Sequence, residues 1–216
     1  MTIQDVLNIE FPAEFGSDED GEITEAMEDV YAQLEHGSAN TAFGATKFVI
    51  FLNDKEVAKI PFNGAFWYDS YQDWNFYEFY VEDYCAREAN IYEKAEDEGI
   101  EEFFAYTKYC GNSVCGKPVY VSERVYTFYD NDRVREKTNS FSMNSMERAK
   151  ELKDKLSTRL HEEWVARAIE YYGFEAVQKL FDFIEKEDIR DLHCDNVGFR
   201  EDGSPCILDY SSYYEG

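Results

Sequence analysis

The chain has 216 residues, of which 46 are acidic and 21 are basic, so its formal net charge is −25. Contacts to nucleic-acid phosphates and anionic lipids need clustered Lys and Arg, and we therefore expect neither direct nucleic-acid binding nor membrane binding. A basic protein partner is compatible with this charge. No stretch approaches the ~20 apolar residues of a membrane span, while an apolar content of 44% suffices for a large core.

The cysteine pattern and the N-terminal stretch indicate the redox state and the location of the protein. The five cysteines include no C-x-x-C pair, and no pairing of cysteine with histidine has the spacing of a zinc site. The N-terminal stretch MTIQDVLNIEFPAEF lacks the basic and apolar regions of a secretory signal. We therefore expect reduced thiols and a cytoplasmic location.

Hydrophobic periodicity predicts the elements of the first half of the chain. Ile23, Met27, Val30 and Leu34 recur at helical spacing, which predicts an amphipathic helix over residues 22–35. The pattern then predicts a small polar loop over residues 37–45 and two strands, 47–52 and 56–62, joined by a tight turn. A helix is predicted over residues 81–98.

A hairpin and a run of helices are predicted for the second half. Strand patterns at 103–111 and 117–125 flank a turn-rich stretch. Apolar residues at helical spacing predict helix from residue 142 onward, interrupted at Gly173 before a new apolar face begins at Phe174. The stretch YDNDRVREKTNS, residues 129–140, is almost wholly polar, which predicts a linker between two lobes near residues 124–140.

The stretch IRDLHCDNVGFREDGSPCILDY, residues 189–210, places polar side chains on both sides of a predicted hairpin. Two short apolar strands flank an E-D-G turn, and Asp-Gly is a strong hairpin signal. Asn196 and Asp209 then lie beside each other at the open end of the hairpin. An amide oxygen and a carboxylate placed there can share a hard cation such as Mg²⁺. Asp191, in the loop that enters the hairpin, would accept a proton close to that metal.

These residues resemble the protein-kinase-like superfamily. The catalytic loop of that family, H-R-D-L-x-x-x-N, matches I-R-D-L-H-C-D-N at 189–196, and its D-F-G metal motif matches D-Y-S at 209–211. The resemblance implies that Asp191 is the base or substrate-orienting carboxylate, and that Asn196 and Asp209 hold the metal. His193 stands where the family usually has Lys, and we expect a structural role for it.

The resemblance extends over residues 37–211 and assigns a role to one lysine. It implies that Lys59 neutralises the phosphates of ATP and that Val57, on the same strand face, touches the adenine. Glu88, in E-A-N-I of the predicted helix, would orient Lys59. Glu93 is the second choice, because it lies about 140° further round an ideal helix and both cannot face the same lysine.

Two further segments would complete a nucleotide site. The resemblance implies a phosphate loop over 37–44, formed by Gly37, Ser38 and Gly44, with two of the three glycines of the family pattern. It also implies a hinge near residues 122–125, where the backbone of Glu123 and Val125 would meet the edge of the adenine. Both segments are interpretations from the family pattern.

The fold implied by the resemblance is a two-lobed α+β protein-kinase-like fold with a β-rich N-lobe and a shortened helical C-lobe. An acidic N-terminal extension with one helix would occupy residues 1–36, the N-lobe 37–128 and the C-lobe 129–216. The sequence given ends five residues after Ser211, so it does not contain the activation segment that the family has there. In this it is similar to the compact kinase-like proteins of bacterial effectors and bacteriophages.

The resemblance implies ATP- and Mg²⁺-dependent phosphoryl transfer to a protein Ser/Thr hydroxyl. The alternative is a catalytically inactive kinase-like binding module, a pseudokinase, whose acidic surface blocks a basic, nucleic-acid-binding partner in the manner of a phage anti-defence protein. Acidic segments at 18–22 and 93–102 would carry that contact.

Each site residue also has a structural interpretation. Lys59 can be an edge-strand lysine that favours solubility, and Glu88 can belong to a solvated acidic helix face. Asp191, Asn196 and Asp209 can close turns by bonds from side chain to backbone. Three such residues at the intervals of the family favour the catalytic interpretation.

Overall fold

The structure is a computed structural model that describes residues 1–13, 15–16, 23–44, 46–62, 66–70, 73–77, 83–127, 141–155 and 160–211, with backbone alone at 66–70, 73–77 and 154–155. The chain divides into two compact units. Unit 1 consists of Met1–Ala86 and Thr107–Ser122, and unit 2 consists of Arg87–Tyr106 and Glu123–Gly216. Both units combine helices with antiparallel strand pairs, so the predicted α+β class is confirmed.

Unit 1 is built on a five-stranded sheet. Its strands are β1 Thr41–Phe43, β2 Lys47–Phe51, β3 Glu56–Pro61, β6 Thr107–Asn112 and β7 Pro118–Glu123, in the order β1-β2-β3-β7-β6. Strands β4 Phe66–Ser70 and β5 Asp73–Tyr77 form a separate two-stranded sheet. The predicted hairpins at 47–62 and at 103–125 are both confirmed, because β2 pairs with β3 and β6 pairs with β7.

Among the described residues before this sheet, the α-helices are α1 Ile3–Leu7 and α2 Glu25–Gln33. Thr2 and Asp5 form a capping box at α1, which satisfies backbone donors at the start of a very short helix. Buried apolar residues of both helices and of the chain between them share one hydrophobic cluster with the sheet. Within the described part of residues 1–36, buried apolar side chains thus belong to the core of unit 1 and two helices are formed, whereas an acidic extension with one helix was predicted.

Alternation along β2 and β3 divides the sheet of unit 1 into two faces. Phe48 lies opposite Ile60, and Ile50 opposite Ala58; all four are buried in the cluster that contains α1 and α2. The neighbouring positions point to the other face, because successive side chains of a strand alternate. That other face carries Lys59.

Unit 2 consists mainly of helices and a small sheet. Its elements are most of α3 Tyr84–Glu98, then α4 Met143–Lys155, α5 Glu162–Tyr172 and α6 Phe174–Lys186, and the strands β8 Tyr126–Thr127, β9 Val197–Phe199 and β10 Pro205–Ile207 in the order β10-β9-β8. Its core is a single cluster that includes Trp164 and the apolar faces of α5 and α6. The predicted linker at 124–140 includes β8, and residues 128–140 lie outside the described part of the chain.

Two glycines shape unit 2. Gly173 has φ 90° and ψ 155°, a conformation that side chains disfavour, and it separates α5 from α6 as predicted. At Gly198 an added Cβ would lie 2.0 Å from the backbone oxygen of Tyr126, so only glycine lets β8 approach β9. The Trp164 indole donates a hydrogen bond to the Gly198 carbonyl at 3.0 Å, which anchors β9 to α5.

None of the described helices has the length and apolar content that crossing a membrane requires.

Candidate functional site

The loop that carries Asp191 begins where α6 ends. Asp188 adopts a left-handed conformation with φ 54°, and the Ile189 amide donates to the Ile184 carbonyl across the helix end at 3.0 Å. Ile189 and Leu192 are buried in the core of unit 2. Between these two buried residues, the Asp191 side chain is 35% exposed.

The predicted hairpin is confirmed. Val197 lies opposite Ile207, and Phe199 lies opposite Pro205. The Asn196 carbonyl accepts hydrogen bonds from the Leu208 amide at 3.0 Å and from the Asp209 amide at 3.4 Å. Asn196 and Asp209 are therefore adjacent at the open end of the hairpin.

A side-chain bond joins Asn196 to Asp191. The Asn196 amide nitrogen Nδ2 donates to the backbone carbonyl of Asp191 at 2.6 Å. This bond closes the loop between the two residues and directs the amide oxygen of Asn196 away from that carbonyl. Asp191, Asn196 and Asp209 are thus held in one connected loop and hairpin of unit 2.

Tyr210 anchors the other side of the hairpin in the core. Its backbone amide donates to Glu88 Oε1 at 3.4 Å, and its hydroxyl donates to the Ala105 carbonyl at 2.7 Å. Its ring is 1% exposed and meets the ring of Phe104 edge-on at 5.0 Å between centroids. The position of Asp209 is therefore fixed from both sides, by Asn196 and by the buried residue that follows it. Ser211, where the kinase pattern has Gly, donates from its hydroxyl to Asp209 Oδ1 at 3.2 Å.

The two candidate glutamates of α3 are distinguished by burial. Glu88 is fully buried, and its carboxylate accepts the bond from Tyr210. Glu93 is exposed. A buried carboxylate needs partners, whereas an exposed one is solvated by water. Glu88 therefore fits the predicted role better than Glu93. Its pairing with Lys59 would join residues of different units and stays a prediction.

Lys59 lies on β3 of unit 1 and is only 5% exposed. Val57 shares its face and is also buried, as the strand pattern predicts. Lys47 on β2 is a second buried lysine, and it was not predicted as a site residue. Since Val49 lies opposite Lys59, and Lys47 is two residues from Val49, both lysines point to the same sheet face. That is the face opposite the α1 and α2 cluster.

The predicted phosphate loop at 37–44 is not a continuous loop. Residues Gly37–Asn40 form a short 3₁₀ helix, which contains Ser38, and Thr41–Phe43 form β1. Gly37 therefore begins the 3₁₀ helix, whereas Gly44 follows β1 at the turn into β2. The segment 37–44 was predicted to be a loop, because small, polar residues suit a loop as well as a short helix.

The predicted hinge contains residues that already have partners in the fold. The Glu123 amide donates to the Tyr106 carbonyl at 3.1 Å, and its carboxylate accepts from Arg200 Nε at 2.8 Å. Val125 is half-buried and precedes β8. The binding of adenine by this backbone stays a prediction, and the Glu123 side chain has a structural partner.

Arg200, like Lys47, was not predicted from the sequence, and it connects several segments of unit 2. Beyond Glu123, its guanidinium donates to the carbonyls of Glu102 at 2.9 Å and Phe104 at 3.0 Å, and to the Tyr172 hydroxyl at 3.3 Å. Burial works to lower the pKa of Arg200, but the nearby Cys206 thiol and Glu123 carboxylate outweigh burial, and the pKa is raised. The arginine therefore stays charged and joins the turn of the β9–β10 hairpin to three other segments of unit 2.

No protein-family model, curated protein or solved structure matches this chain. A functional assignment therefore depends on the geometry of its own residues. The best candidate for a functional site is the loop and hairpin that hold Asp191, Asn196 and Asp209. The kinase-like, two-lobed arrangement stays a proposal.

Proposed function

We propose that this protein transfers a phosphoryl group from ATP to a hydroxyl of a protein substrate, with Mg²⁺ as the cofactor. The observation that carries the proposal is the bond from the Asn196 side chain to the Asp191 carbonyl, next to the pairing of Asn196 with Asp209. These contacts connect the positions that carry an exposed carboxylate, a side-chain amide and a second carboxylate. Phosphoryl transfer depends mainly on such positioning of charges.

The donor set fits a hard cation. Mg²⁺ prefers oxygen ligands and binds through few carboxylates together with substrate phosphates. Asn196 would contribute its amide oxygen, because its nitrogen is occupied by the Asp191 carbonyl. Asp209 would contribute a carboxylate oxygen. When bound, Mg-ATP supplies the phosphoryl group and the positive charge that neutralises it.

The remaining roles follow from position and charge. Asp191 would accept a hydrogen bond from the attacking hydroxyl and orient it, since its carboxylate is accessible and lies outside the metal pair. Lys59 would bind the phosphates from the sheet face of unit 1. Glu88 would hold the segment around Asp209 through its bond with Tyr210, and Val57 would contact the base.

Substitution of Asp191 tests the chemical step. We expect Asp191→Ala to lower phosphate transfer by about 10²–10⁴-fold, the usual contribution of a positioned acid or base, while leaving ATP affinity within a few-fold. Transfer of radiolabel from ATP to a basic test protein measures this effect. Asp182→Ala, on an exposed position of α6, is the matched control and should transfer at the wild-type rate. Equal labelling by Asp191→Ala and the control would contradict the assignment.

Thermal stabilisation tests the nucleotide and metal site. At 100-fold excess over Kd, Mg-ATP should stabilise the fold by about 2.7 kcal/mol, which raises Tm by roughly 5–10 °C for a domain of this size. We expect the shift to require Mg²⁺ and to be lost in Asp209→Asn. An unchanged Tm at millimolar Mg-ATP would remove the proposal.

A catalytically silent binding module is the second candidate. It is favoured by the exposed acidic end of α3, where Glu93, Glu96, Asp97 and Glu98 all lie at the surface. The other predicted acidic segment, 18–22, lies outside the described residues. A basic partner would associate with this surface at a rate that falls steeply between low and physiological salt, since charges are screened within ~10 Å at 0.1 M. If the partner is itself a nucleic-acid-binding protein, nucleic acid should compete for it.

Neutralising the end of α3 separates this candidate from a mere solubility effect. We expect Glu93→Gln combined with Asp97→Asn to slow association with the partner more than it speeds dissociation. Stopped-flow or surface-based kinetics at two salt concentrations would measure both rates. An association rate that ignores salt would exclude the electrostatic role.

A further inference from the structure

The loop that contains Asp191 carries a second set of ligand atoms, which the proposed phosphoryl transfer does not use. His193, Cys194 and Asp195 each offer one ligand atom, and these atoms all lie within 4.8 Å of one another. His193 and Cys194 are half-buried, and the Asp195 side chain is 69% exposed. We propose that these three residues bind a thiophilic divalent cation of the zinc class.

The chemistry of the three ligands selects the cation. An imidazole nitrogen, a thiolate and a carboxylate form a mixed set that suits Zn²⁺, whereas Mg²⁺ and Ca²⁺ take oxygen ligands. Zinc binds nitrogen and oxygen at about 2.0–2.2 Å, so two such ligands in a tetrahedral shell stand about 3.3–3.6 Å apart. The distance between His193 Nδ1 and Asp195 Oδ2 is 3.5 Å. These two atoms therefore need little movement to share one cation.

The backbone prepares the imidazole for this role. The Asp195 amide donates a hydrogen bond to His193 Nδ1 at 3.2 Å, which requires that Nδ1 present its lone pair to that side. The cation would replace this one hydrogen bond. The partial exposure of the three residues leaves the remaining coordination positions to water, as in zinc sites with three protein ligands. The amide of Asn196 donates to the His193 carbonyl at 3.1 Å and keeps the turn closed.

The same imidazole also faces the candidate catalytic carboxylate. His193 Nε2 lies 3.8 Å from Asp191 Oδ1. A cation on Nδ1 withdraws electron density from the ring and makes the Nε2–H group a stronger donor. Asp191 would then be held by His193 instead of the substrate hydroxyl. This part of the inference depends on the proposed function, and it predicts that zinc inhibits transfer.

Cobalt(II) provides a test of the site that needs no activity. Co²⁺ occupies zinc sites, and a thiolate ligand gives it a charge-transfer absorption in the near ultraviolet. We expect this absorption with the full chain, its loss on addition of equimolar Zn²⁺, and its absence in Cys194→Ser and in His193→Gln. Circular dichroism of each variant confirms that it is folded.

Two other cysteines supply matched controls. Cys110 is half-buried on β6 and Cys115 is exposed, and both belong to unit 1. We expect Cys110→Ser and Cys115→Ser to keep the charge-transfer band. A band that persists in Cys194→Ser, or that disappears in either control, would overturn the proposal, as would the absence of a band in the wild type.

The regulatory part is tested by transfer kinetics in excess Mg²⁺. We expect Zn²⁺ to lower the transfer rate of the wild type by at least about 10²-fold, the lower limit of the contribution of a positioned carboxylate. Each variant is compared with its own zinc-free rate, and Cys194→Ser should lose most of the inhibition. Equal inhibition of both proteins would contradict the coupling to Asp191. If no protein transfers phosphate, the proposed function fails, while the cobalt spectrum still decides the metal site.

Discussion

The two units hold their candidate residues in different ways. In unit 1, Lys59, Lys47 and Val57 lie on regular strands, and the register between β2 and β3 alone determines which face they share. In unit 2, Asp191, Asn196 and Asp209 lie in a loop and at the end of a short hairpin. Their positions depend on individual polar bonds, such as that from Asn196 Nδ2 to the Asp191 carbonyl.

This difference determines how sensitive each region is to single substitutions. A strand position survives most changes that preserve the sheet, because the ladder has many equivalent bonds. A loop position is lost when one buried polar contact is broken, because a buried group without a partner costs about 1–3 kcal/mol. We expect the largest single-residue effects around β8, β9 and β10, where Gly198 packs closely against Tyr126 and Arg200 makes several polar contacts.

The tightest approach in unit 2 is at Gly198. We expect Gly198→Ala to lower the free energy of unfolding by about 3 kcal/mol or more, at the upper end of overpacking costs, because the new Cβ would lie 2.0 Å from the Tyr126 carbonyl oxygen. Gly44→Ala in unit 1 is the matched control, since nothing lies within 4 Å of its Cβ position. Urea unfolding measures both. Similar losses in the two variants would remove the contrast between the units.

Arg200 is a polar anchor with several contacts in unit 2. We expect Arg200→Met to cost about 2–3 kcal/mol, less than the ~3–5 kcal/mol of a fully buried pair, because the Arg200 side chain is 19% exposed. The exposed pair of Lys186 with Glu98 is the control, and Lys186→Met should cost much less, because exposed ion pairs contribute little to stability. Equal costs in urea unfolding would show that the Arg200 contacts are not anchors.

The elements of both units follow from local patterns. The hairpin at 47–62, the helix of α3 and the break at Gly173 were each predicted from periodicity and turn residues, and each is confirmed. Helix α1 was missed, because five residues are too few to show helical periodicity. The 3₁₀ helix at Gly37–Asn40 was assigned to a loop, because small and polar residues suit both.

The candidate site was predictable in part. The spacing of Asp191, Asn196 and Asp209 marks a loop and a hairpin, and the structure brings these residues together. The contacts of Arg200 join residues separated by 28–98 positions, so no local pattern reveals them. The position of Lys47 could have been predicted from the hairpin register. If Leu52 and Glu56 are the pair next to the turn, then Val49 lies opposite Lys59. Lys47, two residues from Val49, then shares the sheet face of Lys59.

The proposed metal ligands were not predicted from the spacing of cysteine and histidine in the sequence. The spacing rules for zinc sites describe ligands that come from separate turns of the chain, whereas His193, Cys194 and Asp195 are consecutive. Consecutive side chains converge only where the backbone turns sharply. The bond of the Asn196 amide to the His193 carbonyl closes that turn, and it is a feature of the folded loop.

The hydroxyl of Tyr210 tests the anchoring of the hairpin by a single bond. We expect Tyr210→Phe to lower the free energy of unfolding by about 1 kcal/mol, because the Ala105 carbonyl loses its donor at 2.7 Å while the ring keeps its place against Phe104. Tyr109→Phe in unit 1 is the control, since its hydroxyl bonds to Asn112 at the surface. A loss no larger than that of the control would mean that the ring alone anchors Asp209.

The smallest expected effect belongs to an exposed polar contact of unit 2, at the start of α4. The Ser145 hydroxyl and the Ser142 amide donate to Glu170 Oε1 at 2.6 and 2.9 Å, and these bonds lower the pKa of Glu170 from 4.5 to about 2. Because the folded-state pKa is depressed, the stabilisation is present above pH 4.5 and is lost as the pH falls toward 2. Solvent screening limits it to less than about 1 kcal/mol. We expect Glu170→Gln to have a lower free energy of unfolding than the wild type at neutral pH, and this difference should disappear as the pH falls through this window. Glu185→Gln, at an exposed position of α6, is the control and should show no such pH-dependent difference. A difference that stays constant with pH would show that the Glu170 charge does not hold the start of α4.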